Sequence, residues 1–294
     1  MVRLFTPYGD YLLKKFGCKV QKLSVNAGFT CPNRDGTIGH GGCIYCDNRT
    51  FTPSYCDPAD SVTLQLEKGK KFFGKKYQDL KYLAYFQAYT STHSTSVSRL
   101  ISLYREALEV DNVLGLVIGT RPDCFPNILA DALGEINRSG KPVMVEFGAE
   151  TSHDTTLKLI NRGHTWKQTS DAVKRADDAG LDVGLHFIMG LPDETREMML
   201  CTVERAVKLP VVSLKFHQLQ VIHDTPLHRR WEKGEIDLKL FTVEDYLDLC
   251  RKICSIVPHH IAIERFTSSS PADMLVAPKW GIKNYEFVHR LQAE

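Results

Sequence analysis

The chain has 294 residues, 43% of them hydrophobic, 24% charged and 10% aromatic, with a formal net charge of +2 at pH 7. This is the composition of a soluble globular enzyme with a large core, built as two ordinary domains or as one α/β barrel. A charge so near balance excludes any bulk-charge argument for nucleic acid or membrane, although a local basic face is compatible with it.

The opening segment MVRLFTPYGDYLLKKFG has neither an apolar h-region nor a small-residue cleavage site, and no stretch approaches the roughly 18 apolar residues of a bilayer span. A cytoplasmic protein without membrane association is expected. Disulfides are rare there, so nine cysteines, an odd number, point to metal or redox chemistry.

In chain order, strands are predicted at 19–25, 82–88, 114–119, 142–147, 181–188 and 212–221, and helices at 61–76, 96–109, 126–139, 165–179, 193–208 and 242–257. Apolar strands alternating with helices predict a parallel sheet with helices outside. Six such units fall short of a closed eightfold barrel, so an open, partial (β/α)6 TIM-like barrel is expected. Residues 1–260 are read as the core, including an N-terminal extension and a cysteine loop. Residues 261–294 are read as a C-terminal cap adding a strand and a helix. Ligand sites in such folds collect at the C-terminal ends of the strands.

The first strand leads into AGFTCPNRDGTIGHGGCIYC, in which Cys31, Cys43 and Cys46 are spaced C-x11-C-x2-C. Five glycines and one proline from Gly28 to Gly42 let the backbone wrap a bulky inorganic core. Three thiolates on a four-iron cluster leave one iron open to chelate a ligand, with Tyr45 as the aromatic beside it. A structural zinc site is the competing reading, with His40 or Cys56 as fourth ligand.

The second strand ends in YLAYFQAYTST, placing Gln87 and a hydroxyl-rich turn at the mouth. The third ends in GTRPDC, where Arg121 and Asp123 either contact a ligand or close the turn as an ion pair. The fourth ends in VEFGAET, where Glu146 and Glu150 are costly to bury unless paired or bound to something such as a ribose diol. INRGH then contributes Arg162 and His164. The fifth strand enters GLHFIMGLPDET, which reads as a strand-to-helix turn able to meet a purine edge while Ile188 packs on the ring. The sixth carries His217, Gln218 and Gln220. Cys250 and Cys254 share one face of an amphipathic helix and read as core, and Cys124 and Cys201 read as structural.

Together these segments, with LVAPKW and Lys283 in the tail, resemble the radical S-adenosylmethionine superfamily, and within it the YhcC/YtqA-type branch related to the Elongator catalytic subunit. The resemblance implies a [4Fe–4S] cluster on Cys31, Cys43 and Cys46 that reductively cleaves S-adenosylmethionine to a 5′-deoxyadenosyl radical. It further implies cofactor contacts from Tyr45, Gln87, Glu150, Arg162 and the Ile188, Gly190, Glu194 pattern, and a reductant such as flavodoxin or ferredoxin. Gln87 stands where the superfamily's glycine–glycine–glutamate motif would be. Position 150 is often Gln in the branch and is Glu here.

The branch is associated with the tRNA wobble uridine, so trimming of a carboxymethylaminomethyl group toward aminomethyl is the expected reaction. Arg121, Asp123, His164, His217, Arg265 and Lys283 are the candidate substrate contacts, with Trp280 as a stacking or packing residue. No residue is assigned as hydrogen donor or acceptor. A radical enzyme acting on a small metabolite or peptide is the second reading, and a zinc-stabilised RNA-binding protein the non-enzymatic one.

Overall fold

The computed structural model describes residues 3–74, 80–93 and 95–293. Its strands are β1 (Thr6–Pro7), β2 (Val20–Val25), β3 (Lys81–Phe86), β4 (Val113–Thr120), β5 (Val143–Glu150), β6 (Asp182–Met189), β7 (Ser213–Gln218), β8 (Val221–Ile222), β9 (Ala262–Ile263) and β10 (Leu275–Ala277). Eight of them form one sheet in the order β1-β9-β7-β6-β5-β4-β3-β2, and every pairing within it is parallel. β8 and β10 make a separate antiparallel pair. The sheet curls into a half-barrel whose ends, β1 and β2, do not pair with each other.

The expected open, partial barrel is therefore the fold, with a correction in strand number. The six predicted strands are β2 to β7, and the wall is extended beyond β7 by β9 and β1, each of two residues. A two-residue strand is too short to show any period, so only its partners reveal it. The predicted run 212–221 divides into β7 and β8, because the chain leaves the sheet after Gln218 to pair with β10.

The helices follow the strands. α2 (Val62–Gly74), α3 (Val97–Leu108), α4 (Asn127–Arg138), α6 (Trp166–Asp178), α7 (Arg196–Ala206) and α9 (Val243–Ile256) match the predicted segments. Residues 75 and 76 of the predicted 61–76 helix lie outside the described residues. α7 starts three residues late because Thr195, not Asp193, is its N-cap, accepting from the Met198 N–H as a hydroxyl N-cap does. The short helices α5 (Asp154–Leu159) and α8 (Pro226–Glu232) carry too few turns to show helical periodicity.

α1 (Tyr8–Phe16) also lay unpredicted, and it shapes the lumen. It packs against both β2 and β9, closing the base of the open half-barrel. Its Tyr8 and Leu12 meet the inward side chains Leu83, Tyr85, Val117 and Met144. The opposite faces of the strands (Leu23, Phe86, Ile118, Phe147, Phe187 and Phe216) pack under the surrounding helices. Each such side chain contributes roughly 1.5–3 kcal/mol by leaving water.

The segment from 261 onward begins inside the barrel wall as β9. It then leaves for β10 and α10 (Asn284–Gln292), whose Phe287 packs at a tilt on Tyr246 and Phe266. Among the described residues no helix is long and apolar enough to cross a membrane.

Candidate active site

Side chains on a barrel strand alternate between lumen and exterior. That alternation turns Gln87, His186, Ile188 and His217 into the lumen, where Gly119 and Gly148 leave open space and Glu150 joins them. A cavity of about 270 Å³ opens there, and Cys31, Cys43 and Cys46 line its upper wall.

The cysteine loop is held by backbone bonds rather than by regular structure. The Cys31 carbonyl accepts from the Arg34 and Asp35 N–H groups at 2.8 and 3.1 Å, and the Gly42 N–H donates to the Asn33 carbonyl at 2.8 Å. Asn161 Nδ2 donates to the Gly42 carbonyl at 2.8 Å, and the Ile44 N–H donates to the Ile160 carbonyl at 3.0 Å. The INRGH segment thus clamps the loop. Gly42 has φ +77°, and a Cβ there would stand 2.8 Å from Arg34 Nε, so only glycine fits without strain.

The surroundings of the thiols are rich in donors. Arg162 Nη1 approaches Cys43 Sγ at 3.7 Å and Asn33 Nδ2 approaches it at 3.8 Å. Arg34 Nη2 donates to the Cys46 carbonyl at 2.8 Å. Burial pushes the Cys46 thiol up to about 12, with the neighbouring Cys43 adding to it and Arg34 opposing. A group that takes up the sulfurs as thiolates reverses that preference.

These features test what the loop can hold. His40 and Cys56 do not line the cavity. Cys56 Sγ instead donates to the Ser24 carbonyl at 3.0 Å, and the His40 ring packs on Gly36. Among the described residues no three His, Cys, Asp or Glu side chains converge as one metal ion requires. Three thiols around one cavity, with cations at hand and buried Arg121 Nη1 and Arg162 Nε without a hydrogen-bond partner among the described residues, fit an anionic group larger than a single ion.

The remaining expected residues divide. Tyr45, Gln87, Arg121, Glu150, Arg162, Ile188, His217 and Arg265 also line the cavity. Glu150 has φ +65° at a register break between β5 and β6, which turns its carboxylate inward to Arg162 Nη2 at 3.3 Å. Arg162 Nη2 also donates to the Gly148 carbonyl at 2.7 Å. Gly190, Glu194, Asp123, His164 and Lys283 are not in the cavity wall. Glu194 is turned to the Thr151 hydroxyl, and Gly190 backs onto the Phe241 ring.

Asp123 is taken up by Arg121 in a buried bidentate pair at 2.9 and 3.0 Å, the turn-closing arrangement. Arg121 nevertheless reaches the cavity. His164 is buried, and burial, followed by Arg162 and Arg121, lowers it to about 2, so it stays neutral. Lys283 is exposed at the start of α10, where its N–H meets Glu286, and Trp280 packs on Tyr246 and donates to the Phe241 carbonyl.

Below the cavity lies a layer of which sequence reasoning singled out Glu146 alone. Lys22, Glu146, Lys215 and Glu264 form a charged layer across β2, β5, β7 and the end of β9. Lys22 pairs with Glu146 and, at 2.6 Å, with Glu264. Lys215 lies 2.8 Å from Glu264 and 3.6 Å from Glu146, and His186 Nε2 is 2.8 Å from Glu146.

Burial opposes the charged form of Glu146, yet Lys215, Lys22 and His186 outweigh it and hold the carboxyl well below the usual range. Burial likewise opposes charge on Lys22, but Glu146 and Glu264 keep it protonated. Burial depresses Lys215 despite the same two carboxylates. The available signal was polar residues at alternate positions of two strands, Lys22 and Ser24 in β2 and Ser213, Lys215 and His217 in β7.

Residues 30–206 match the radical SAM superfamily and residues 211–294 match the Radical_SAM C-terminal domain. The uncharacterised YtqA of Bacillus subtilis is 35% identical over 284 residues, covering 97% of this chain and 87% of YtqA. The tRNA uridine(34) acetyltransferase of Methanocaldococcus jannaschii is 29% identical over 169 residues, which is 55% of this chain and 30% of that protein. The solved structure of archaeal Methanocaldococcus infernus Elp3 with an N-terminal deletion has the same fold, with TM-score 0.64 at 20% identity, covering 92% of this chain. This chain spans 62% of that one, less than two thirds of its length. With a family match across most of its length and a full-length relative, the chain belongs to the radical SAM superfamily of enzymes.

Proposed function

We propose that Cys31, Cys43 and Cys46 hold a [4Fe–4S] cluster, that S-adenosylmethionine occupies the cavity beneath it, and that the substrate is a tRNA wobble uridine bearing a carboxymethylaminomethyl group. The observation carrying the cofactor assignment is that the three cysteines share one cavity while His40 and Cys56 stand outside it. When bound and reduced by a flavodoxin- or ferredoxin-like donor in the cytoplasm, the cluster supplies the electron that splits the cofactor to methionine and a hydrogen-abstracting 5′-deoxyadenosyl radical.

The chain's own residues bind, orient and exclude water. Arg162 and Asn33 aim N–H groups at Cys43, and Arg34 lies beside Cys46, lowering the cost of burying anionic sulfur. Ile188 offers an apolar face for a purine, and Glu150 offers a carboxylate to a ribose diol. The likeness to a tRNA uridine(34) acetyltransferase supports the wobble-uridine substrate.

Anaerobic reconstitution tests the cofactor. Uptake of about four iron and four sulfide per chain, with 5′-deoxyadenosine formed on reduction, is expected of a four-iron cluster. Uptake of zinc without iron would overturn it. Mass spectrometry of tRNA nucleosides from a deletion strain tests the substrate: a wobble-uridine profile equal to wild type would shift the assignment to a small metabolite or peptide.

A further inference from the structure

The four charges of the lumen layer, Glu146, Glu264, Lys22 and Lys215, pair with one another, and Arg265 stands beside them as a further cation. Both carboxylates are engaged by the two lysines. Arg265 follows Glu264 directly, is partly buried and lines the cavity, and among the described residues no carboxylate forms an ion pair with it. Its backbone is fixed, because its carbonyl accepts from the Phe216 N–H at 2.9 Å. Glu264 feels the charge of Arg265, but that carboxylate is already shared by two lysines, so a bound anion would stabilise the guanidinium in this partly desolvated cavity.

The wall beside Arg265 is built to present donors. His217 Nδ1 shares a hydrogen with Ser268 Oγ. With the proton on Nδ1, the Ser268 hydroxyl hydrogen is free to donate. With the proton on Nε2, the ring N–H is free instead. Either tautomer leaves one donor for an anion. The segment carrying Ser268 is pinned by Gln218, which accepts from the Ser268 N–H at 2.7 Å and donates to its carbonyl at 3.1 Å. Gln220 accepts from the Ser270 hydroxyl at 2.7 Å. Burial, with Arg265 next, lowers His217 well below its usual range, so the imidazole adds a donor but no charge.

We infer that Arg265, with the His217–Ser268 pair, forms a subsite for a single carboxylate carried by the substrate's reacting side chain. A guanidinium fork matches a carboxylate in two parallel hydrogen bonds. One guanidinium without an ion pair calls for one negative charge. The subsite lies in the barrel wall beside the lysine–glutamate layer, so the carboxylate belongs to the inserted group. This rests on the wobble-uridine reading only for the owner of the carboxylate, which there is the carboxymethyl group.

The test uses the full chain, reconstituted and loaded with S-adenosylmethionine. Binding is measured for an anticodon stem-loop RNA whose wobble uridine carries the carboxymethylaminomethyl group and for the same RNA with its carboxylate converted to the amide. N-benzylglycine, its amide, and phenyl phosphate are measured in parallel. The acid is expected to bind wild type roughly ten- to hundredfold tighter than the amide, the range of a hydrogen bond to a charged group. Arg265→Gln is expected to erase that preference while leaving amide binding and the visible cluster spectrum unchanged, and Arg265→Lys to retain part of it.

An acid preference that survives in Arg265→Gln, or no acid preference in wild type for either probe pair, overturns the subsite. Tighter binding of phenyl phosphate than of N-benzylglycine overturns the carboxylate assignment in favour of phosphate. Failure of both RNAs to bind, with the N-benzylglycine preference intact and Arg265-dependent, supports the subsite and overturns the RNA reading alone.

Discussion

Lys215 Nζ on β7 lies 2.8 Å from Glu264 Oε1 at the end of β9, joining the wall of the half-barrel to the segment that follows it. Lys22 on β2 reaches the same carboxylate from the opposite edge at 2.6 Å. The edge strand β2 and the distant strands β7 and β9, which share no hydrogen bonds with it, are thus tied through one largely buried acid.

Replacing that acid is expected to be costly. Glu264→Gln leaves Lys22 and Lys215 to share Glu146 alone. Breaking a buried pair by removing one partner costs about 3–5 kcal/mol. Chemical denaturation of the variant should show a loss of that order, and a loss under about 1 kcal/mol would mean that water already screens the layer.

The cysteines should separate cleanly by role. Cys46→Ala is expected to abolish iron retention and 5′-deoxyadenosine formation. Cys250, fully buried on α9, should tolerate alanine with both retained and a stability cost of about 1 kcal/mol. Iron analysis of the two reconstituted variants gives the answer, and equal losses would reverse the sorting.

Gly42→Ala should damage the loop locally. The alanine meets a left-handed φ of +77° and Arg34 Nε at 2.8 Å, a strain of about 1–2 kcal/mol from the backbone alone. Because Arg34 holds the Cys46 carbonyl, faster loss of iron under a chelator is expected with little change in global unfolding. Wild-type iron retention in this variant would show that the loop does not need the observed geometry.

His164 gives the protein a pH dependence of known sign. Its folded value is lowered to about 2 by burial and two arginines, whereas an unfolded histidine titrates near 6.5. Below 6.5 the unfolded chain binds a proton that the folded chain refuses, so stability is fully present above 6.5 and falls as pH drops toward 2. Between pH 7.5 and 5 this amounts to about 2 kcal/mol. His164→Phe keeps a planar ring and removes the titration, so its unfolding free energy should fall less steeply across that interval than that of wild type.

The sequence by itself determined the local chemistry. The six strands β2 to β7, the principal helices and the C-x11-C-x2-C loop are written in contiguous residues, because apolar periodicity and glycine spacing act within one segment. Eight of the expected site residues, Tyr45, Gln87, Arg121, Glu150, Arg162, Ile188, His217 and Arg265, joined the three cysteines in the cavity wall, since strand ends in a parallel barrel share one rim.

Only the tertiary structure decided the rest. β1 and β9 exist through partners far along the chain, and α1 is placed by the gap it fills. Lys22 pairs with residues 124 and 242 positions away, and no local pattern links a lone lysine in one strand to a glutamate in another. Curling the sheet brings every second residue of each strand to a common axis, which turns four scattered charges into one layer and leaves Arg265 beside it with no ion pair among the described residues.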